Sequence, residues 1–222
     1  MLSLKHIALD LPDGAELIRD ISLDIPEDRV VVVTGPNGGG KTTLAKLIAG
    51  LRQPTAGSIC FDGQDITHRD IPSRARLGIA YAFQQPVHFK GLRARDILEL
   101  AAGKPLGEQE LCAYLAQVGL CANEYMDREL NASLSGGEMK RIEIASVLAR
   151  GAKLSIFDEP EAGIDLWSFS RLVETFQDLR SSGKGGLMII SHQERILSIA
   201  DEIIVIANGR VRAHGPKDEI LP

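Results

Sequence analysis

The chain is poor in the residues that would staple, coat or anchor it. Cysteine occurs three times in 222 residues, at Cys60, Cys112 and Cys121. The count is odd and the spacings fit no metal pattern, so reduced thiols are expected rather than a disulfide framework. No apolar run approaches the ~20 residues that cross a bilayer. Any membrane role would therefore need a partner that supplies the spanning helices. The start, Met1-Leu-Ser-Leu-Lys-His6, lacks the charged-then-apolar order of a signal peptide, and a cytoplasmic location is expected. Basic charge is not in excess: 25 Lys and Arg face 30 Asp and Glu, a net charge of −5. A surface built to coat nucleic acid is thereby disfavoured. Aromatics make up only 5%, with one tryptophan, and none lies between Met1 and Pro26.

What is present is an ordinary globular balance, 44% hydrophobic and 25% charged. Leu2-to-Leu9 and Ala15-to-Ile25 alternate apolar and polar residues around the turn Pro12-Asp13-Gly14. Val30-Val31-Val32-Val33 has no polar face and reads as a strand buried on both sides. Helical spacing follows over Thr42-to-Leu51, and Ser58-to-Asp62 reads as a further strand of the N-terminal sheet. Gly78-to-Phe83 reads as a strand, and Gly91 to about Arg150 turns helical. Strand patterns return at Leu154-to-Phe157, Leu187-to-Ile190 and Ile203-to-Ile206, with a helix over Leu166-to-Leu179. Asn208-Gly209 signals a hairpin. Alternation of strand and helix around an all-helical middle predicts a parallel α/β core with a helical insertion. One domain over 1–222 is expected, with 1–84 and 151–222 as the core and 85–150 as the helical part.

Gly35-Pro-Asn37-Gly38-Gly39-Gly40-Lys41-Thr42-Thr43 fits G-x-x-x-x-G-K-[ST] between a buried strand and a helix. Backbone N–H groups of such a loop point at an anion, and the helix N-terminus adds partial positive charge. Lys41 can reach β- and γ-phosphates, and the Thr42 hydroxyl can ligate Mg²⁺. A chance match arises in about one chain of this length in a hundred, and the strand–loop–helix context lowers that. The strand Leu154-to-Phe157 runs into Asp158-Glu159. Asp158 is placed to hold Mg²⁺, and Glu159 to deprotonate an attacking water. Solvated acids capping a strand would look the same alone; the phosphate loop upstream favours the functional reading. Leu134-Ser135-Gly136-Gly137-Glu138 opens another helix. Its N-terminus is a second anion site, one that makes sense if it serves a partner's nucleotide.

Gly35-to-Thr43, Gln84, Leu134-to-Glu138, Asp158-Glu159, Ala162-to-Asp165 and His192 resemble, in order, the Walker A, Q-loop, signature, Walker B, D-loop and H-loop motifs of ABC (ATP-binding cassette) ATPases. The resemblance implies a P-loop NTPase of RecA-like parallel-sheet core, with an N-terminal antiparallel β subdomain and an inserted α-helical subdomain. It implies ATP and Mg²⁺ as ligands and an ATP-dependent head-to-tail homodimer. In that dimer Ser135, Gly136 and Gly137 of one copy would meet the γ-phosphate held by the other's phosphate loop. Gln84 would sense Mg²⁺ and water, His192 would contact the γ-phosphate, and the Asp165 segment would cross the interface. Many members stack adenine on an N-terminal aromatic; here His6 or Leu17 would have to substitute.

ABC cassettes energise membrane transporters or do soluble work. Tyr81-to-Val87, Ser135-to-Arg141 and Ser191-to-Leu197 resemble the corresponding segments of the SufC branch, the ATPases of SUF iron–sulfur assembly. That resemblance implies a SufB/SufD-like scaffold as partner. Pro160, by contrast, is typical of transporter cassettes, whose partner is a transmembrane permease of an importer. Trp167 is expected to anchor the helix that follows it, together with Phe169, Leu172 and Phe176. Arg74, Arg76, Arg93 and Arg95 are either a docking surface or a solvated face.

Overall fold

The computed structural model describes residues 1–87, 89–131, 133–183 and 185–221. Strands β1 (Leu2–Asp10), β2 (Glu16–Ile25) and β3 (Val30–Thr34) lead to helix α1 (Lys41–Ala49). Then come β4 (Ala56–Phe61), β5 (Gln64–Asp65), α2 (Ile71–Leu77) and β6 (Ile79–Ala82). Four helices follow: α3 (Ala94–Ala102), α4 (Glu108–Gln117), α5 (Ala122–Tyr125) and α6 (Gly136–Ala149). The chain closes with β7 (Leu154–Asp158), α7 (Leu166–Ser182), β8 (Gly186–Ile190), α8 (Glu194–Ser198), β9 (Glu202–Ala207), β10 (Arg210–Pro216) and α9 (Lys217–Ile220).

Two sheets form. The antiparallel one runs β2-β1-β4-β5 and the larger one β10-β9-β3-β8-β7-β6. In the larger sheet β3, β6, β7, β8 and β9 are parallel and β10 is an antiparallel edge. This is the parallel α/β core expected from the alternation of elements, and it matches the P-loop NTPase architecture that the resemblance implies. Why β3 carries four valines is visible in its two faces. Val31 and Val33 pack with Leu44 and Ile48 of α1 and with the antiparallel sheet. Val30 and Val32 pack with Phe157, Phe176 and the helical elements on the other side. A period of two on a strand covered on both faces leaves no place for a polar residue. The parallel strands all end at one edge, and the turns there carry Gly35, Gln84, Glu159 and His192. The Asn208-Gly209 hairpin joins β9 to β10 with φ of 53° and 70°, the pair of positive values that a two-residue type I′ turn requires.

Two packing expectations are overturned. Phe169, Leu172 and Phe176 are buried, but Trp167 is 85% exposed and its neighbour Leu166 is 64% exposed. Asp165 caps α7 by accepting from the N–H groups of Trp167 and Ser168, both at 3.0 Å. That cap turns the first helical side chains outward, away from the core. Arg74 is no docking surface, being only 1% exposed. Its guanidinium donates to the carbonyls of Leu47 (2.6 Å), Ile48 (2.9 Å), Thr67 (2.8 Å) and Arg69 (3.1 Å). Two of these lie in the last turn of α1, where a cation opposes the helix dipole. Arg74→Ala would leave several buried carbonyls unpaired, and an expected loss of about 3 kcal/mol is checked by urea unfolding; a loss under about 1 kcal/mol would refute this account.

Candidate active site

The phosphate loop is shaped by contact with the strand beside it. Gly35 has φ 133°, and a Cβ there would lie 2.1 Å from the carbonyl oxygen of Ile206. Only glycine fits. Gly40 caps α1 at φ 107° and supplies no side-chain bond, and the first turn of α1 holds no acidic residue. The leading N–H groups of α1 are thus left to bind an anion. Lys41 is 7% exposed, and its Nζ donates to the carbonyls of Gly35 (2.7 Å) and Pro36 (3.0 Å). The ammonium is thereby held over the loop. Asn37, Gly38, Gly39, Gly40, Lys41, Thr42 and Thr43 line an open cleft of about 400 Å³, closed on its far side by Gln84 and Glu159.

Beneath that cleft lies a buried acid corner. Asp158, fully buried at the end of β7, accepts from the Thr42 hydroxyl (3.0 Å) and from the Tyr81 hydroxyl (2.8 Å). Burial, with Asp158 beside it, pushes the Tyr81 phenol far above its ordinary range, so it stays a donor. Glu159 sits at φ 46°, a left-handed backbone that a glutamate adopts only under constraint. Its N–H donates to the carbonyl of Ile190 at 3.0 Å, and its Oε2 accepts from Gln84 Nε2 at 2.8 Å. That bend lifts the Glu159 carboxylate off the strand end and toward the phosphate loop.

Three charged groups around this corner carry no motif of their own. Lys140 of α6 is fully buried. Its Nζ donates to the carbonyls of Phe83, Gln84 (3.3 Å) and Asp158 (3.2 Å). Glu143, one turn on, accepts from the Phe83 N–H at 2.8 Å, and burial raises its carboxyl to about 7. Glu161 accepts from the Ser191 hydroxyl at 2.6 Å. Sequence reading passes over these residues because a Lys and a Glu on a helix most often face solvent. The one available signal was that Lys140 shares a helix face with Ile144 and Val147, four and seven residues on.

The other expected site residues lie apart. Ser135, Gly136, Gly137 and His192 are not among the residues lining the cleft. Ser135 is the N-cap of α6: its Oγ accepts from the Glu138 N–H (3.2 Å), and Glu138 returns a bond to the Ser135 N–H (2.7 Å). Gly137 packs against the Asp165 turn, where a Cβ would meet the Gly163 carbonyl oxygen at 2.4 Å. Arg141 bonds Ser168 at 2.6 Å across the same junction. His192 is exposed just beyond the C-terminal end of β8. Of the two candidates for the base, Leu17 lines the cleft, while His6 is exposed and paired with Asp20 at 2.8 Å.

Comparison with known proteins decides the family. The model for "ABC transporter" matches residues 18–162, more than half of the chain. The chain belongs to the ABC ATPase family. It is 36% identical over 213 residues to an uncharacterized ABC transporter ATP-binding protein of Methanocaldococcus jannaschii, covering 92% of this chain and 85% of that one. It is 32% identical over 212 residues to the lipopolysaccharide export ATP-binding protein LptB of Escherichia coli K12, covering 94% and 88%. Among solved structures, an ATP-binding subunit of an ABC transporter superposes with TM-score 0.85 at 27% identity, covering 99% and 91%. A dimeric cassette in a post-hydrolysis state with ADP and phosphate superposes with TM-score 0.87 over 98% and 99%; at 22% identity it speaks to the fold alone.

As an ABC ATPase the protein binds ATP with Mg²⁺ and hydrolyses it to ADP and phosphate. The residues present fit that ion. Among the described residues no group of three His, Cys, Asp or Glu could hold a metal by itself. One carboxylate beside one hydroxyl, Asp158 and Thr42, is the donor set for a hard cation that arrives on phosphates; Gln84 adds an amide oxygen at the cleft. Bound there, Mg²⁺ would neutralise charge on the β- and γ-phosphates. Lys41→Ala is expected to weaken ATP binding on the order of 100-fold or more, equivalent to about 3 kcal/mol, as titrated with a fluorescent nucleotide. Glu159→Gln is expected to keep binding and lower kcat by roughly 10²–10⁴-fold; wild-type turnover would remove Glu159 from the role of base.

Proposed function

We propose that this chain is the nucleotide-binding subunit of an ABC membrane transporter, working as an ATP-closed homodimer on the cytoplasmic side. No helix among the described residues is long and apolar enough to cross a membrane, so a permease subunit would provide the path. In this reading Lys41 and Thr42 hold the phosphates, Asp158 and Gln84 the ion, and Glu159 the attacking water. Ser135 to Gly137 and His192 complete the γ-phosphate shell, the former from the opposite copy.

One observation carries the partner reading. Two adjoining hollows, of about 150 and 230 Å³, share Tyr81, Phe83, Ser146 and Val147. Val87 and Phe89, each 42% exposed, border one, and Ile71, 46% exposed, borders the other. Apolar side chains set around a groove suit a short amphipathic segment of another protein. The floor of the groove is Phe83, the residue before Gln84. An occupant would therefore press on the very segment that reaches Glu159. The transport names of the relatives support a permease as that occupant. The second reading, a SUF-type ATPase acting on a SufB/SufD-like scaffold, rests on Tyr81-to-Val87, Ser135-to-Arg141 and Ser191-to-Leu197; the relatives named above lend it no support.

The two readings separate on purification of the tagged chain from its own cells with detergent. A stoichiometric integral membrane partner is expected. A soluble partner with iron–sulfur absorbance would overturn the transporter reading. The dimer is tested separately, because Trp167 is the single tryptophan and is exposed at the turn that packs on Gly137. In Glu159→Gln, ATP is expected to double the hydrodynamic mass and shift Trp167 emission to the blue; an unchanged mass would exclude closure.

A further inference from the structure

Lys140 presents a physical problem. A fully buried ammonium is expensive to keep away from water unless every donor is used. A methionine of similar length would fill the space without that penalty. No carboxylate pairs directly with Lys140 among the described residues, although Glu143, Asp158, Glu161 and Glu159 stand close enough to favour its charge. What the ammonium has instead is three main-chain carbonyls converging from two segments.

Those carbonyls are specific. The β6–β7 ladder ends at the pair Ala82 and Phe157. Immediately past it the two chains part from each other: β6 ends and runs toward Gln84, while β7 stays paired with β8 through Asp158 and Ile190 before it turns at Glu159. Lys140 bridges the two just there, through Phe83, Gln84 and Asp158. Glu143 grips the remaining main-chain group of Phe83, its N–H, at 2.8 Å. Helix α6 therefore holds Phe83 by both its donor and its acceptor. Gln84 Nε2 and Glu159 Oε2, 2.8 Å apart, are the side chains that follow.

We propose that Lys140, assisted by Glu143, is a positioning residue for ATP hydrolysis: it clips the main chains that present Gln84 and Glu159 into one fixed spacing. It is not among the residues that line the nucleotide cleft. Its three donors replace the ladder hydrogen bonds that end where the two catalytic-side segments diverge. Because α6 begins at Ser135, the same clip ties the spacing of Gln84 and Glu159 to the position of the helix whose N-terminus would meet the opposite copy's phosphate. The inference rests on the reading of Gln84 and Glu159 given above.

The test uses the full-length chain, with Mg-ADP as the binding probe and hydrolysis followed at saturating ATP. Lys140→Met is expected to lower kcat on the order of 10- to 100-fold, the range for a misplacement of about 1 Å. Nucleotide affinity should stay within about twofold, since the phosphate loop is untouched. Lys140→Gln, which keeps two donors, is expected to recover part of the loss. Wild-type kcat in folded Lys140→Met would overturn the proposal, as would a joint loss of kcat and affinity, which marks a general loosening of the site. If Lys140→Met fails to fold, Glu143→Ala decides, because it removes a single acceptor from Phe83: lowered kcat at unchanged affinity supports the clip and unchanged kcat sinks it. Wild-type turnover by Glu159→Gln in the same assay would bring down the underlying reading of the site, so the two failures are told apart.

Discussion

The arrangement depends on one buried carboxylate. Asp158 has no contact with solvent and stands at the end of a strand that is buried along its whole length. An ionised group there is tolerable only with its oxygens occupied. Thr42 takes one oxygen and Tyr81 the other. The first ties the acid to the phosphate-loop helix, the second to the strand that leads to Gln84. The position of Asp158 therefore sets the spacing between the two walls of the cleft. Its neighbour Glu159 then has to turn through a left-handed backbone to face the same cleft, and the strain is held by the bonds to Ile190 and Gln84.

The two helix N-termini differ in a way that bears on how the site is completed. That of α1 has no capping side chain and no acid in its first turn. It is prepared for an anion in the single chain. That of α6 is already capped by the reciprocal bonds of Ser135 and Glu138. The Tyr125 hydroxyl and the Ser135 N–H hold the Glu138 carboxyl down to about 2, so it is charged at neutral pH. A free phosphate meets a carboxylate there as well as N–H donors. Strong binding to α6 alone is disfavoured, and a γ-phosphate presented at Ser135 and Gly137 while its charge is already shared by Lys41 and Mg²⁺ is the better fit. On the dimer reading proposed above, occupancy of the second site would follow occupancy of the first.

Legibility in the sequence followed the physics of each feature. The phosphate loop could be read because its glycines answer a local demand, the positive φ of Gly35, Gly38 and Gly40, and because four valines before it admit one kind of strand. The hairpin at Asn208-Gly209 was readable for the same local reason. Arg74, Lys140 and Glu143 were not. Their burial depends on main-chain groups far away in sequence, carbonyls of Leu47, Phe83 and Asp158 for the two cations and the Phe83 N–H for Glu143, and charge on a helix carries no mark of such partners. Trp167 misled in the opposite direction. Its size suggests a core position, but the cap at Asp165 fixes the phase of α7, and phase outranks hydrophobicity at the first turn. The helical middle was legible as a class only, since its four helices pack by long-range contacts that periodicity does not specify.

The same distinction bears on where coupling to a partner can arise. The groove beside Phe83 and the cleft beside Gln84 are separated by one residue of backbone, and that backbone is held by α6 rather than by the sheet. A segment seated in the groove cannot move Phe83 without moving Lys140 and Glu143, and hence the start of α6 at Ser135. If the clip is rigid, docking, the reach of Gln84 to Glu159 and the placement of the second anion site change together. A loop pinned only to the sheet would let each vary alone. Coupling in this chain is then a consequence of three carbonyls meeting one ammonium, and it requires no large hinge within the core.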